Sequence, residues 1–163
     1  MTTRDGTAPA IHACAVILAE TGVLICGAPG TGKSSLVIHL LDIGQRVGVF
    51  ARLVGDDRIM LSASSGRLIA RPHPAIPGLL ECRWEGIVRT GYEPAAILHH
   101  VVELIPAGDD PPPRMPEAGQ TRFAWGDIAL PMLKLPAALG PAAQALRVWQ
   151  IAVRRNSADS AKI

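Results

Sequence analysis

The chain of 163 residues is poor in charged side chains, and it has no long apolar run. Charged residues make up 18% of the chain and hydrophobic residues 48%, which excludes an intrinsically disordered protein. No apolar window approaches the length of a transmembrane helix, and residues 1–7 lack the apolar core of a signal peptide. We therefore expect a single domain over residues 1–163, in the cytoplasm and without a membrane partner.

Cysteine is scarce and net charge is small. The cysteines Cys14, Cys26 and Cys82 are odd in number, lie in apolar stretches and have no C-x-x-C spacing. This pattern indicates buried thiols in a reducing compartment. The net charge of +2 is scattered along the chain, so nucleic acid is not an expected partner.

What the chain does contain is a glycine-rich loop, residues 27–34, with the sequence GAPGTGKS. It matches G-x-x-x-x-G-K-[ST], in which the glycines let successive backbone N–H groups point at phosphate oxygens. The lysine supplies a cation for the phosphates, the serine hydroxyl can ligate Mg²⁺, and the next helix adds its dipole. The motif therefore predicts binding of a nucleoside triphosphate. The residues predicted to contact the nucleotide are Gly27, Gly30, Thr31, Gly32, Lys33, Ser34 and Ser35.

The local patterns predict α/β architecture with a mixed sheet. Strands are expected over residues 11–18, 22–26, 47–54, 58–62, 67–70 and 79–83, and helices over residues 33–43 and from Pro141 onward. Residues 95–104 fit a strand or a helix, and residues 125–135 fit one or two short strands. Residues 108–119 are rich in proline and predict an extended or mobile connection, and residues 1–9 and 156–163 predict flexible tails.

Two adjacent carboxylates, Asp56 and Asp57, follow an apolar strand. Such a pair is typical of a Walker-B-like arrangement, in which one carboxylate serves Mg²⁺ or activates an acceptor hydroxyl. Adjacent strand residues point to opposite faces, so only one faces the phosphates unless a bend realigns them. The alternative is an Asp-rich turn with no role in chemistry.

Glu81 and His12 are the other candidate site residues. A glutamate in the apolar stretch around residue 81 favours a cation partner such as Mg²⁺, although an edge strand facing solvent also explains it. His12 opens the first predicted strand, where a structural histidine is the alternative to a role beside the loop.

The order of these motifs resembles that of the HPr kinase/phosphorylase family. Residues 11–12 precede the loop as the family's histidine does, and residues 52–58, RLVGDDR, resemble its Leu-Val-x-Asp-Asp-Arg stretch. Residues 77–88, PGLLECRWEGIV, are similar to its Gly-Leu-Ile-Glu-x-Arg-Gly-x-Gly-Ile signature. The resemblance covers about residues 11–88.

The resemblance implies an ATP-dependent protein-serine kinase. The family transfers the γ-phosphoryl group of ATP to a serine of HPr, a small phosphocarrier of the phosphotransferase system. Its fold resembles the nucleotide site of phosphoenolpyruvate carboxykinases, and its members form hexamers. By position, Asp56 would be the general base, and Asp57 would support Mg²⁺ and the phosphates. Ser34 and Glu81 would hold Mg²⁺, and the catalytic His12 would lie close to the phosphates.

The chain also departs from the family pattern. The N-terminal domain of typical members is not in the sequence, as in the shortened form associated with alphaproteobacteria. Ala28-Pro29 replace a polar pair in the loop, Trp84 replaces a glycine of the signature, and the link over residues 45–51 is longer than usual. Residues 135–140 lack the family's late arginine, so Arg114 or a neighbour's side chain would have to neutralise charge. This absence argues for kinase activity and against the reverse dephosphorylation.

Two other functions fit the same motifs. A small-molecule kinase or general NTPase would consume ATP without a protein acceptor. A non-catalytic ATP sensor would suit the missing late arginine, but it leaves Asp56, Asp57 and Glu81 without a purpose.

Overall fold

A mixed sheet organises the computed structural model, which describes residues 10–108 and 121–159, with side chains only as far as residue 153. The strands are β1 (Ala10–Ile11), β2 (Cys14–Leu18), β3 (Thr21–Gly27), β4 (Ala51–Gly55), β5 (Ile59–Ser64), β6 (Arg67–Pro72), β7 (Leu79–Cys82), β8 (Gly86–Arg89), β9 (Ala96–Ile105), β10 (Arg122–Trp125) and β11 (Ile128–Pro136). The helices are α1 (Lys33–Val47) and α2 (Pro141–Asp159), with a 3₁₀ turn at Ala137–Leu139.

Nine strands form one sheet, in the order β1-β5-β6-β9-β3-β2-β4, with β11 also paired to β9 and β10 paired to β11. Strand β9 runs parallel to β3 and to β11, and the other pairings of the sheet are antiparallel. Strands β7 and β8 form a separate antiparallel hairpin. The predicted α/β architecture with a mixed sheet is confirmed.

The sheet separates two apolar cores. On one face, Leu36 of α1 and Val148 of α2 pack with Val16 and Val23 of the sheet, and all four are fully buried. On the other face the core contains β5 and β6 side chains together with Leu24. Packing of both helices on one face holds the start of α1 against the end of β3, where the glycine-rich loop begins.

The carboxyl ends of the three parallel strands meet at one edge of the sheet. Gly27 at the end of β3 is paired with Leu104 of β9, and Leu104 is paired with Leu135 of β11. Residues 95–104, which fit either a strand or a helix, are thus mostly the central strand β9. In open α/β sheets ligands bind at this end of the strands, which is where the glycine-rich loop lies.

Helix α1 is longer than predicted, because Gly44 does not end it. The helix continues to Val47 and ends at Gly48, which has a φ of 69° and donates its N–H to the carbonyl of Gly44. Gly44 is needed for packing, since a Cβ there would press against the side chain of Ala51. The prediction of a strand from residue 47 is therefore wrong. Residues 45–47 of the longer link belong to the helix, and residue 51 begins β4.

Other boundaries also differ. The first predicted strand is interrupted at His12, since β1 pairs with β5 whereas β2 pairs with β3 and β4. The strand predicted over residues 79–83 is the first arm of the β7–β8 hairpin. Helix α2 begins at Pro141 as predicted and continues to Asp159, into the segment predicted as a tail. Residues 1–9, residues 109–120 with Arg114, and residues 160–163 lie outside the described part of the chain.

Candidate active site

The glycine-rich loop connects β3 to α1 through positive-φ glycines. The φ angles are 80° at Gly30 and 93° at Gly32, where a Cβ would meet no atom within 4 Å. These two positions therefore require glycine for backbone conformation rather than for space. Thr31 is buried, and its hydroxyl donates to the carbonyl of Ala28 at 2.8 Å, which holds the loop closed on itself. Gly27 also has a positive φ, and a Cβ there would meet Thr31 Oγ1 at 2.7 Å.

Lys33 is buried at the start of α1, with three partners for its ammonium group. Nζ donates to the carbonyls of Gly27 at 2.9 Å and Ala28 at 3.2 Å. The third partner is His12 Nε2, at 3.1 Å. All three N–H groups of this side chain are thus engaged within the loop and its nearest neighbour.

Asp56 is the inner carboxylate of the pair, only 3% exposed. It accepts from Ser34 Oγ at 2.9 Å and 3.1 Å, from Cys14 Sγ at 2.7 Å and from the Glu81 backbone N–H at 3.1 Å. These donors compensate the burial of a carboxylate. Protein donors thus surround the oxygens of the carboxylate that the resemblance assigns as the general base.

Asp57 turns in the other direction because the chain bends sharply after β4. Arg58 N–H donates to the Asp56 carbonyl at 2.8 Å, which closes a three-residue turn with Asp57 at its centre. The φ of Asp57 is 67°, an uncommon conformation for a residue other than glycine and one that is often found at functional sites. The bend gives the two carboxylates different surroundings, one buried and one with its side chain 58% exposed.

His12 joins Asp57 to Lys33. Its Nδ1 lies 2.8 Å from Asp57 Oδ1, and its Nε2 is the nitrogen that contacts Lys33 Nζ. The interruption between β1 and β2 at residue 12 is what places the ring beside the loop. The predicted proximity of this histidine to the loop is therefore observed.

Most of the predicted site residues meet in one cleft of about 380 Å³. Its polar lining includes His12, Lys33, Ser34, Asp57, Glu81 and Arg83, together with Gly30, Gly32 and Ser35 of the predicted nucleotide contacts. Asp56, Thr31 and Gly27 do not line it; they support the residues that do.

Arg83 is a charged cleft residue that sequence reasoning missed. Glu81 lies in β7 and Arg83 in the turn that follows it. In the sequence, a spacing of two residues predicts side chains on the same face of a strand. The alternation was visible in the sequence, and it was the available signal. The hairpin that carries them turns at Trp84, which has a φ of 74° and is 99% exposed.

The donor set on the cleft wall fits Mg²⁺. Ser34 offers a hydroxyl oxygen and Glu81 a carboxylate, and a hard cation such as Mg²⁺ takes a few protein oxygens together with phosphate oxygens and water. Within residues 10–108 and 121–153 no cluster of three or more histidine, cysteine or acidic side chains forms a metal site. A magnesium ion here would thus depend on the phosphates for part of its coordination.

The cysteines are free thiols with raised pKa values. Burial, followed by the charge of Asp56, raises the pKa of the Cys14 thiol well above its usual range. Burial and the charge of Glu103 raise the pKa of Cys26 to about 11. The prediction of buried thiols is confirmed for Cys14, whereas Cys26 and Cys82 are only partly buried.

Comparison with known proteins assigns the chain to a family. Residues 6–105 match the family described as the HPr Serine kinase C-terminal domain, and the chain therefore belongs to that family. In the described part of the chain, no helix combines the length and apolar character needed to cross a membrane.

Curated relatives share part of this region. The chain is 40% identical over 76 residues to an HPr kinase/phosphorylase of Mycoplasma mycoides, which covers 47% of this chain and 22% of that protein. It is 35% identical over 78 residues to an HPr kinase/phosphorylase of Clostridium beijerinckii, covering 48% of this chain and 24% of that protein. The matched segments span about a quarter of each relative's length.

A solved structure shares the fold. The structure of the HPr(Ser) kinase/phosphatase from Coxiella burnetii superposes with a TM-score of 0.70, covering 93% of this chain and 98% of that one. The sequence identity is 22%, so this likeness concerns the fold alone.

Proposed function

We propose that this protein is an ATP-dependent kinase that phosphorylates a serine of an HPr-type phosphocarrier. The observation that carries the proposal is the division of the carboxylate pair: Asp57 faces the cleft that contains Lys33 and Ser34, while Asp56 is buried behind Ser34. A transfer site needs both a phosphate cradle and a carboxylate facing the acceptor. The choice of acceptor rests on the family and on the names of the relatives.

The geometry favours exchanging the two predicted carboxylate roles. Asp57 is the accessible carboxylate, so we assign the general base to it rather than to Asp56. In the proposed step the acceptor oxygen bonds to the γ-phosphorus while the bond from that phosphorus to the β–γ bridging oxygen breaks. The hydroxyl proton passes to a carboxylate oxygen of Asp57, and ADP is the leaving group.

We assign Asp56 the task of orienting Ser34. Because Asp56 accepts the hydroxyl hydrogen of Ser34, the lone pairs of that oxygen are left for a cation in the cleft. Ser34 and Glu81 would hold Mg²⁺, which neutralises charge on the β- and γ-phosphate oxygens when bound. Lys33 would contact the same phosphates.

Arg83 supplies a second cation in this account. It lines the cleft with Lys33, and the loop over residues 135–140 has no arginine. A guanidinium beside the transferring group stabilises its developing negative charge, and such a contact changes rates by orders of magnitude.

Intact-mass analysis of a carrier tests the proposal. Purified protein, Mg-ATP and an HPr-type phosphocarrier are incubated, and the carrier should gain the mass of one phosphoryl group on serine. Consumption of ATP with an unshifted carrier would instead support a small-molecule kinase or NTPase. Binding of ATP without consumption would support a sensor.

A further inference from the structure

A chain of contacts joins the glycine-rich loop to the proposed base. Lys33 Nζ contacts His12 Nε2 at 3.1 Å, and His12 Nδ1 contacts Asp57 Oδ1 at 2.8 Å. The other two Lys33 donors are held by the loop carbonyls of Gly27 and Ala28. A phosphate oxygen can therefore bond to Lys33 only if one of these three partners gives up its hydrogen bond.

The donor rules determine the state of the His12 ring. An ammonium group donates and cannot accept, so His12 Nε2 must be the acceptor of the Lys33 contact. Its hydrogen then resides on Nδ1, which donates to the carboxylate of Asp57. In this arrangement His12 bridges a cation and an anion, with Nε2 accepting and Nδ1–H donating.

We infer that His12 is a positioning residue that couples nucleotide binding to the proposed base, with Lys33 exchanging His12 for a phosphate oxygen. This inference rests on the proposed function in taking Asp57 as the base. Of the three partners, the carbonyls belong to the loop backbone itself, whereas His12 is a side chain 46% exposed in the cleft. An anionic phosphate oxygen is also a stronger acceptor for an ammonium than a neutral imidazole nitrogen.

The exchange has a consequence for the order of events. A cation on Nε2 polarises the ring and strengthens the hydrogen bond that Nδ1–H donates to Asp57. Departure of Lys33 weakens that bond, so Asp57 becomes a better proton acceptor only after the phosphates are in place. The remaining charged groups in the polar lining of the cleft are Glu81 and Arg83.

Long-range ¹H–¹⁵N spectra of the uniformly labelled protein test the inference without any acceptor protein. The ring signals of His12 are assigned by their loss in His12→Gln, and His73 serves as the reference histidine. We expect the Nδ1–H form in the free protein, and a shift of the Nε2 resonance when Mg-ADP or a non-hydrolysable ATP analogue binds. Lys33→Met should give a shifted Nε2 resonance without nucleotide.

An Nε2–H or doubly protonated ring in the free protein would overturn the inference, as would an Nε2 resonance that nucleotide leaves unmoved. A failed carrier assay with these spectra as expected would count against the proposed function alone. Transfer rates then test the role: glutamine offers one donor and one acceptor, so His12→Gln should retain the rate within about 10-fold. His12→Ala should lose about 100-fold or more. Equal losses in both variants would contradict a hydrogen-bonding bridge.

Discussion

Cys14 donates its thiol hydrogen to Oδ1 of Asp56 across a sulfur–oxygen distance of 2.7 Å. The thiol is fully buried in β2, and the carboxylate it serves also accepts from Ser34. A cysteine in an apolar strand thus supports the residue that orients the predicted magnesium ligand. The sequence indicated a buried thiol and nothing more.

Removal of that donor should destabilise the protein. Cys14→Ala leaves a buried carboxylate with one donor fewer, and we expect the free energy of unfolding to fall by about 1–3 kcal/mol. Cys14→Ser keeps a hydroxyl donor and should lose less. Urea titrations of the two variants measure the difference. Equal losses would mean that packing, and not the hydrogen bond, explains the effect.

The raised pKa of Cys26 predicts loss of stability in alkaline solution. The folded pKa is about 11 against an ordinary 9.0, so between these pH values the thiol ionises in the unfolded chain but not in the folded one. Its contribution is complete below pH 9 and is lost as pH rises towards about 11, by up to about 2–3 kcal/mol. Unfolding experiments on wild type and Cys26→Ala should show this difference in pH dependence. Parallel curves would contradict it.

Replacement of Trp84 by glycine should stabilise the protein. Its φ of 74° suits the glycine of the family signature, and its side chain is 99% exposed, so little packing is lost on its removal. Trp84→Gly should raise the free energy of unfolding by about 0.5–1 kcal/mol. Trp84→Ala keeps a Cβ and should give no such gain. A destabilised glycine variant, measured by urea midpoint, would show that the indole makes a contact worth more than the strain.

The close contact between Gly44 and Ala51 predicts that a substitution at one position can be compensated at the other. Gly44→Ala improves helix propensity by about 1 kcal/mol, but the new methyl group presses on Ala51 and lies 3.0 Å from the Val49 carbonyl oxygen. We expect net destabilisation of about 1–3 kcal/mol. Ala51→Gly in the same chain should recover part of it. Thermal melts of the single and double variants measure the recovery. Additive losses of stability would exclude a direct contact between the two positions.

Local motifs made the loop and the mixed α/β class predictable. The positive-φ glycines and the lysine of residues 27–34 are required by backbone geometry within a few residues, so their spacing alone identifies them. The end of α1 was predicted too early, because Gly44 is required by its close packing against Ala51 and not by the end of the helix. No local pattern reveals that tertiary contact. Residues 95–104 were ambiguous for a similar reason. They form a strand because they pair with neighbouring strands on both sides, and the local sequence does not show those partners.

The sequence could not predict which carboxylate of the pair is buried and which one faces the cleft. Adjacent residues of a strand point to opposite faces, but the turn after β4 that turns Asp57 into the cleft depends on one hydrogen bond from Arg58. The burial of Asp56 likewise depends on donors from β2 and β7, which are distant in the chain. Only Arg83 had a readable signal, its two-residue spacing from Glu81.

The rate of phosphoryl transfer to the carrier in Asp57→Asn, at saturating Mg-ATP, tests the central claim most directly. Asparagine still accepts from His12 but cannot take the proton, so we predict a fall of about 10²–10⁴-fold with ATP and Mg²⁺ affinities unchanged. In the matched variant Asp56→Asn, the Mg²⁺ concentration for half-maximal rate should rise. Transfer at the wild-type rate in Asp57→Asn would contradict the account, and loss of transfer in Asp56→Asn with unchanged Mg²⁺ dependence would return the base to Asp56.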